Sequence, residues 1–287
     1  MNRPVNQHWV PQFYLKYFAT VETKETKNSQ VWIFSKNKDD GDPVLTNVKN
    51  VCGKRYLYSP CAGDGQRDWG LEDKLSDLES MLAPIWPSLA EGYVDLKNQS
   101  IRKALSLFVA ALCLRHPDTS EQCKDIYRHL MHIYDRAPKD LDGIPDIEYI
   151  EISGEKYRFD TRDWDDYKNW KDNDHHKFFV DSVHSHTIEM ATIFLKKRWS
   201  IIVSDTPSFI TSDKPVSKEH LREEKFGFGT KGTIITFPLS PTRLLIMDDM
   251  HEQPSGEYYP ISAEGPGIYN FLIWRSASRF MVSPRDR

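Results

Sequence analysis

The stretch IRKALSLFVAALCLRH (Ile101 to His116) constrains the fold more than any other part of the chain. At 100° per residue its apolar side chains fall on most sides of a helix, and such a helix must be surrounded by other elements. Its longest apolar run, Leu105 to Leu114, is about half of what a bilayer span requires. The surroundings are therefore expected to be protein, with no membrane segment. Pro117 stops the helix. One stripe runs through Ile101, Leu105, Phe108 and Leu112, and Arg115 is its next member. An arginine there needs a carboxylate, a helix-end carbonyl or a bound anion, because an unpaired buried guanidinium is costly. The stripe leaves three roles open for it: a structural ion pair, a side chain snorkelling at a helix end, or an anion site.

The preceding helix carries Leu71, Leu75, Leu78, Leu82 and Leu89, and Pro84 with Pro87 should break it near Ala83. Glu79 lies at the edge of that stripe, roughly 70° from its centre. There it is either half-buried and able to meet Arg115, or solvated. Asp118 or Thr119 is expected to cap a third helix reaching about Arg136. A long helix over His176 to Lys197 reads as buried on two sides. One stripe is Phe179, Val183, Met190 and Ile193 with His186 at its centre, and His184 sits with Val180, Ala191 and Leu195. Both histidines are expected inside as satisfied hydrogen-bond partners; their spacing does not bring the rings together for a metal.

Strand-like runs flank these helices. Near the start, NQHWVPQFYLKYFA reads as a short extended segment and a helix with Pro11 in its first position. QVWIFSK and RYLYS are expected to pair as a small ribbon, and WSIIVS, FITSDKPV, TIITFPLS, RLLIMDD and RFMVS follow later, the last after a helix near Tyr269 to Ser278. Helices and strands come in blocks, which predicts an α+β fold with a helix-rich middle packed on a mostly antiparallel sheet. The whole chain, 1–287, reads as one domain. A surface insertion is expected at about 137–175, holding a hairpin around Ser153-Gly154 and the acidic run DTRDWDDYKNWKDND.

Composition narrows the function classes. Against 38 Lys and Arg stand 42 Asp and Glu, a formal net charge of −4, which argues against a protein built to coat nucleic acid or anionic lipid. No secretory signal is visible, and the four cysteines form no CxxC pair, so reduced thiols in the cytoplasm are expected. GFGTKG (Gly227, Gly229, Gly232) matches a dinucleotide fingerprint by letter, but a strand rather than a helix follows it, and a loop is predicted. His129 and His132 have metal-compatible spacing without further ligands nearby. In ITSDKPVS, Ser212 and Asp213 end a strand before a turn, where an aspartate either bonds its own backbone or points into a cleft.

Several segments together resemble a bacterial family, domain of unknown function 4238. The likeness rests on HWVPQFYLKYFA, VWIFSK, CGKRYLYS, the Leu-Glu helix with Glu79, Arg115 at the end of the next helix, FITSDKPV, TFPLSP, and the Asn270 helix running into RFMVSP. It implies a soluble single-domain protein of that family's fold and brings no established activity. It nominates the polar members of its motifs: His8, Arg115, Ser212 and Asp213. Two readings follow. In the first the protein is a metal-dependent hydrolase or nuclease acting on nucleic acid or a nucleotide, in a toxin-like or phage defence role. Arg115 then holds an anionic group, Asp213 and Glu79 bind a divalent cation or act as base, and His8 serves as acid or ligand. In the second, the same residues form a structural network in a non-catalytic ligand-sensing or partner-binding module. Convergence of His8, Arg115 and Asp213 on an open cleft favours the first; a closed, hydrogen-bonded network favours the second.

Overall fold

The computed structural model describes residues 3–37, 41–144, 146, 149–152, 155–158, 164–262 and 265–286. The chain opens with strand β1 (Asn6–His8) and helix α1 (Gln12–Leu15), which continues as a 3-10 turn to Phe18. Tyr14, Leu15 and Phe18 share the buried face of this short element. Strands β2 (Gln30–Ser35), β3 (Val44–Asn47) and β4 (Gly53–Arg55) follow. The helical middle comprises α2 (Gly70–Leu82), α3 (Trp86–Ala90), α4 (Gln99–Leu114) and α5 (Pro117–Arg136). After it come β5 (Tyr149–Ile152), β6 (Glu155–Arg158), α6 (Trp164–Tyr167) and the long helix α7 (Asp172–Lys196). The remainder is β7 (Arg198–Val203), β8 (Thr211–Ser212), β9 (Ser217–Glu219), β10 (Ile234–Ser240), β11 (Arg243–Asp248), β12 (Glu257–Pro260), α8 (Pro266–Ser276) and β13 (Phe280–Ser283). The fold is α+β.

Two larger sheets have the orders β12-β7-β11-β10-β9 and β3-β2-β13-β8, and their pairings are antiparallel except for β12 beside β7. A two-stranded β1-β4 ribbon and the β5-β6 hairpin complete the pairing. The tip of that hairpin, Ser153-Gly154, lies outside the described residues. Helix α4 runs through the centre, packed along α7 and against α2. Its Phe108 meets Trp86 at 5.2 Å, and Trp86 and Tyr14 both touch Phe237 of β10. This aromatic junction joins helices to sheet. At its other end Arg102, buried on α4, lies 4.4 Å over the Trp199 ring and donates to the carbonyls of Leu195 and Lys197. Those carbonyls close the C-terminus of α7, which lacks partners within its own helix.

Three readings of the sequence need correction. RYLYS is not a strand paired with β2: only Arg55 is extended, and β4 pairs with β1. Cys52 and Tyr56 take left-handed backbone angles, φ of 57° and 51°, which bend the chain on either side of β4. The cap of α5 is neither Asp118 nor Thr119 but His116, whose Nδ1 accepts from the Asp118 N–H at 3.0 Å. His184 and His186 are exposed. The buried side chains of α7 (Phe179, Val180, Val183, Ala191, Phe194) form a single face. At 100° per residue the two histidines lie roughly 80° to either side of its centre.

Tyr14 tests how tightly the first helix is tied to the sheets. Its buried hydroxyl contacts Thr211 Oγ1 at 2.6 Å and donates to the Pro238 carbonyl at 2.8 Å. Tyr14→Phe is expected to lower unfolding free energy in urea by about 1–3 kcal/mol, because buried acceptors lose their donor.

Candidate functional site

Arg115 leaves α4 as its C-terminal cap, and its side chain is only 1% exposed. Nε donates to the Trp9 carbonyl at 2.8 Å and Nη1 to Glu79 Oε1 at 2.9 Å, while Nη2 is buried without a hydrogen-bond partner. The Arg115 carbonyl accepts from the Tyr58 hydroxyl at 2.7 Å. Gln7 holds that neighbourhood in turn: its Oε1 accepts from the Tyr58 N–H and its Nε2 donates to Ser59 Oγ, both at 2.7 Å. One residue thus ties the N-terminal segment, α2 and the chain after β4 to the end of the central helix.

A cavity of about 220 Å³ opens between the N-terminal segment and α2, with Arg115, Glu79, Glu72, His8, Gln12 and Phe13 in its wall. His8 Nε2 donates to the Lys49 carbonyl at 3.0 Å, which leaves Nδ1 as an acceptor facing Gln12 Nε2 at 3.4 Å. Burial pushes the His8 imidazole below its ordinary pKa and Arg115 pushes it the same way; the Lys49 carbonyl and Glu79 only partly oppose this. The ring is therefore a neutral wall group. Glu72 differs. Burial, and then the neighbouring Glu79 charge, push its carboxyl up from 4.5 to about 7 against the pull of Arg115. Glu72 and Glu79 stand seven residues apart on α2, which returns them to one face within roughly 20°.

Beyond Trp9 lies a second polar group. Asp213, 1% exposed, accepts from the backbone N–H of Ser278 at 2.9 Å and of Arg279 at 2.8 Å, and its carbonyl accepts from Trp9 Nε1 at 3.1 Å. His116 stands edge-on to Trp9, its Nε2 3.8 Å from Asp213 Oδ2. Asp118 takes Lys214 Nζ at 2.6 Å and Ser278 Oγ at 2.7 Å. Ser212 is buried, with its Oγ accepting from the Lys214 N–H at 3.1 Å. The structure therefore brings His8, Glu79 and Arg115 to one cavity and leaves Asp213 and Ser212 on the far side of Trp9. His8, Arg115 and Asp213 do not converge on a single cleft, the arrangement that would have favoured the hydrolase reading; both Asp213 oxygens hold the turn between α8 and β13.

Among the described residues no group of three His, Cys, Asp or Glu side chains is placed to hold a metal ion. His129 and His132 are exposed on α5. All four cysteines are free, and no described helix is long and apolar enough to cross a membrane. Glu72 and Gln12 were not singled out from the sequence. Glu72 follows Leu71 at the start of the leucine stripe, where it reads as an ordinary first-turn acid. Its seven-residue relation to Glu79 was the available signal.

A family model described as protein of unknown function (DUF4238) matches residues 6–287. The chain belongs to this family. No curated protein and no solved structure matches it. The DUF4238 match spans both polar groups and the aromatic junction, so cavity and closed network lie within one family unit.

Two outcomes follow. Glu72 binds its proton more tightly folded than unfolded, so the resulting stability is present below about pH 4.5 and lost as pH rises toward about 7. Glu72→Gln is expected to match wild type in thermal midpoint at pH 4 and to exceed it at pH 8. Asp213→Asn replaces one acceptor by a donor facing backbone N–H and is expected to cost about 1–3 kcal/mol in urea unfolding.

Proposed function

We propose that the cavity beside Arg115 is an acid–base centre that hydrolyses a phosphodiester of the nucleotide class. The observation that supports this reading is the pairing of two carboxylates, one protonated up to about pH 7, with a buried guanidinium whose Nη2 is uncommitted. With Glu72 protonated and His8 neutral, Glu79 and Arg115 cancel. With no net charge in the lining, little offsets the desolvation of a bound anion, a cost that rises steeply with its charge. A diester monoanion suits it better than a monoester dianion. Arg115, in the cavity wall, would offset the charge on a non-bridging oxygen. Glu79 would take a proton from the attacking water. Glu72 would give its proton to the departing sugar oxygen as the P–O bond breaks.

The small cavity and the net charge of −4 favour a short nucleotide over long nucleic acid. No step passes through the divalent cation expected from the sequence, and in this reading Asp213 and Ser212 position backbone rather than touch substrate. Degradation of a nucleotide would suit the toxin-like or defence role. The non-catalytic alternative draws on the closed bonding around Asp213, which is built for rigidity.

Hydrolysis of a dinucleoside monophosphate and of a bis(nitrophenyl) phosphate discriminates between them. Glu72→Gln is expected to lose on the order of 100-fold on the nucleoside leaving group and much less on nitrophenolate, which needs no protonation. Wild-type rates on the nucleoside substrate should fall above about pH 7 as Glu72 ionises. Binding of the diester without turnover would favour the ligand-sensing module.

A further inference from the structure

A second cavity, of about 440 Å³, adjoins the first at Phe13. The first lies against α2, the second against the start of α3 and the Lys24 to Thr26 segment. The wall of the first runs from His8 to Phe13 opposite Glu72 to Glu79; the second continues with Lys16 and Tyr17 opposite Ala83, Pro87 and Glu91. Phe13 is fixed at the junction by Trp86 and Phe108, at ring distances of 5.3 and 5.7 Å. The two together fall within the range of about 300–1,000 Å³ usual for small-molecule sites.

The larger cavity has a different chemistry from the smaller. Lys24 forms an ion pair with Glu91 and lies 5.1 Å from the Tyr17 ring centre. Lys16 and Glu25 add one charge of each sign, so the lining carries no net charge and offers no preference for another phosphate. It does offer two aromatic walls, Phe13 and Tyr17, with donors and acceptors in Lys16, Glu25 and Glu91. A neutral planar heterocycle bearing a hydroxylated sugar matches those groups.

We propose that this compartment binds a nucleoside portion of the diester, with its base against Tyr17 and Phe13. The inference rests on the hydrolase reading for its class of ligand but makes its own claim about binding. Calorimetric titration of adenosine and uridine into the full chain tests it without turnover. Binding is expected in wild type and in Glu72→Gln alike, with little dependence on salt because the ligand is uncharged. Tyr17→Leu, which keeps bulk and removes the ring, should weaken it about tenfold. Ala83→Trp, a change at an exposed position, should abolish it by filling the space. Absence of nucleoside binding, or binding that ignores both variants, overturns the compartment even if diesters are hydrolysed. Nucleoside binding that responds to both variants, with no diester hydrolysis, upholds the compartment and removes the hydrolase reading.

Discussion

The buried guanidinium of Arg115 is the interaction on which the arrangement depends. A charge at the end of the central helix, 1% exposed, is tolerable only if it is paired and hydrogen-bonded. Two of its donors are engaged, and each fixes a different element: Nε holds the strand-to-helix bend at Trp9, and Nη1 holds α2 through Glu79. Because Glu79 itself is 29% exposed, the pair sits at a boundary, with its cation inside and its anion at a cavity wall. Nη2 is left buried without a partner.

Trp9 then separates what is open from what is closed. Its carbonyl faces Arg115 and its indole N–H faces Asp213, so one residue connects the cavity to the network under α8 and β13. On the open side, burial leaves Glu72 with a proton near neutrality and His8 without one. On the closed side, Asp213 spends both oxygens on consecutive backbone N–H groups, and His116 spends one nitrogen capping α5. The first group borders the cavity and the second holds backbone. A rigid turn behind Trp9 is what keeps the Arg115 acceptor in place.

Much of this was legible from the residues. Helical angles placed Arg115 on the buried stripe of α4 and Glu79 at the edge of that of α2, and the two meet as that geometry allows. The leucine stripe, its break at Pro84 and Pro87, and the segregation of helices from strands were read from periodicity alone. The failures have physical causes. On α7 the histidines were assigned to two stripes where packing uses one face between them, so both point outward. RYLYS has strand composition, but left-handed angles at Cys52 and Tyr56 flank a strand that ends at Arg55, and Tyr58 beyond it donates to the Arg115 carbonyl. Glu72 was missed because a first-turn acid looks the same whether solvated or held against Glu79 in a cavity.

The protonation of Glu72 is where packing acts most directly on a titratable group. Its carboxyl is desolvated by the same wall that Arg115 and Glu79 hold in place, so its affinity for a proton reports directly on the geometry of the cavity. A carbon-13 NMR titration of the Glu72 side-chain carboxyl measures it. The account predicts a midpoint near pH 7, well apart from the exposed glutamates. A midpoint near the ordinary 4.5 would contradict it and leave Arg115 and Glu79 as a structural pair.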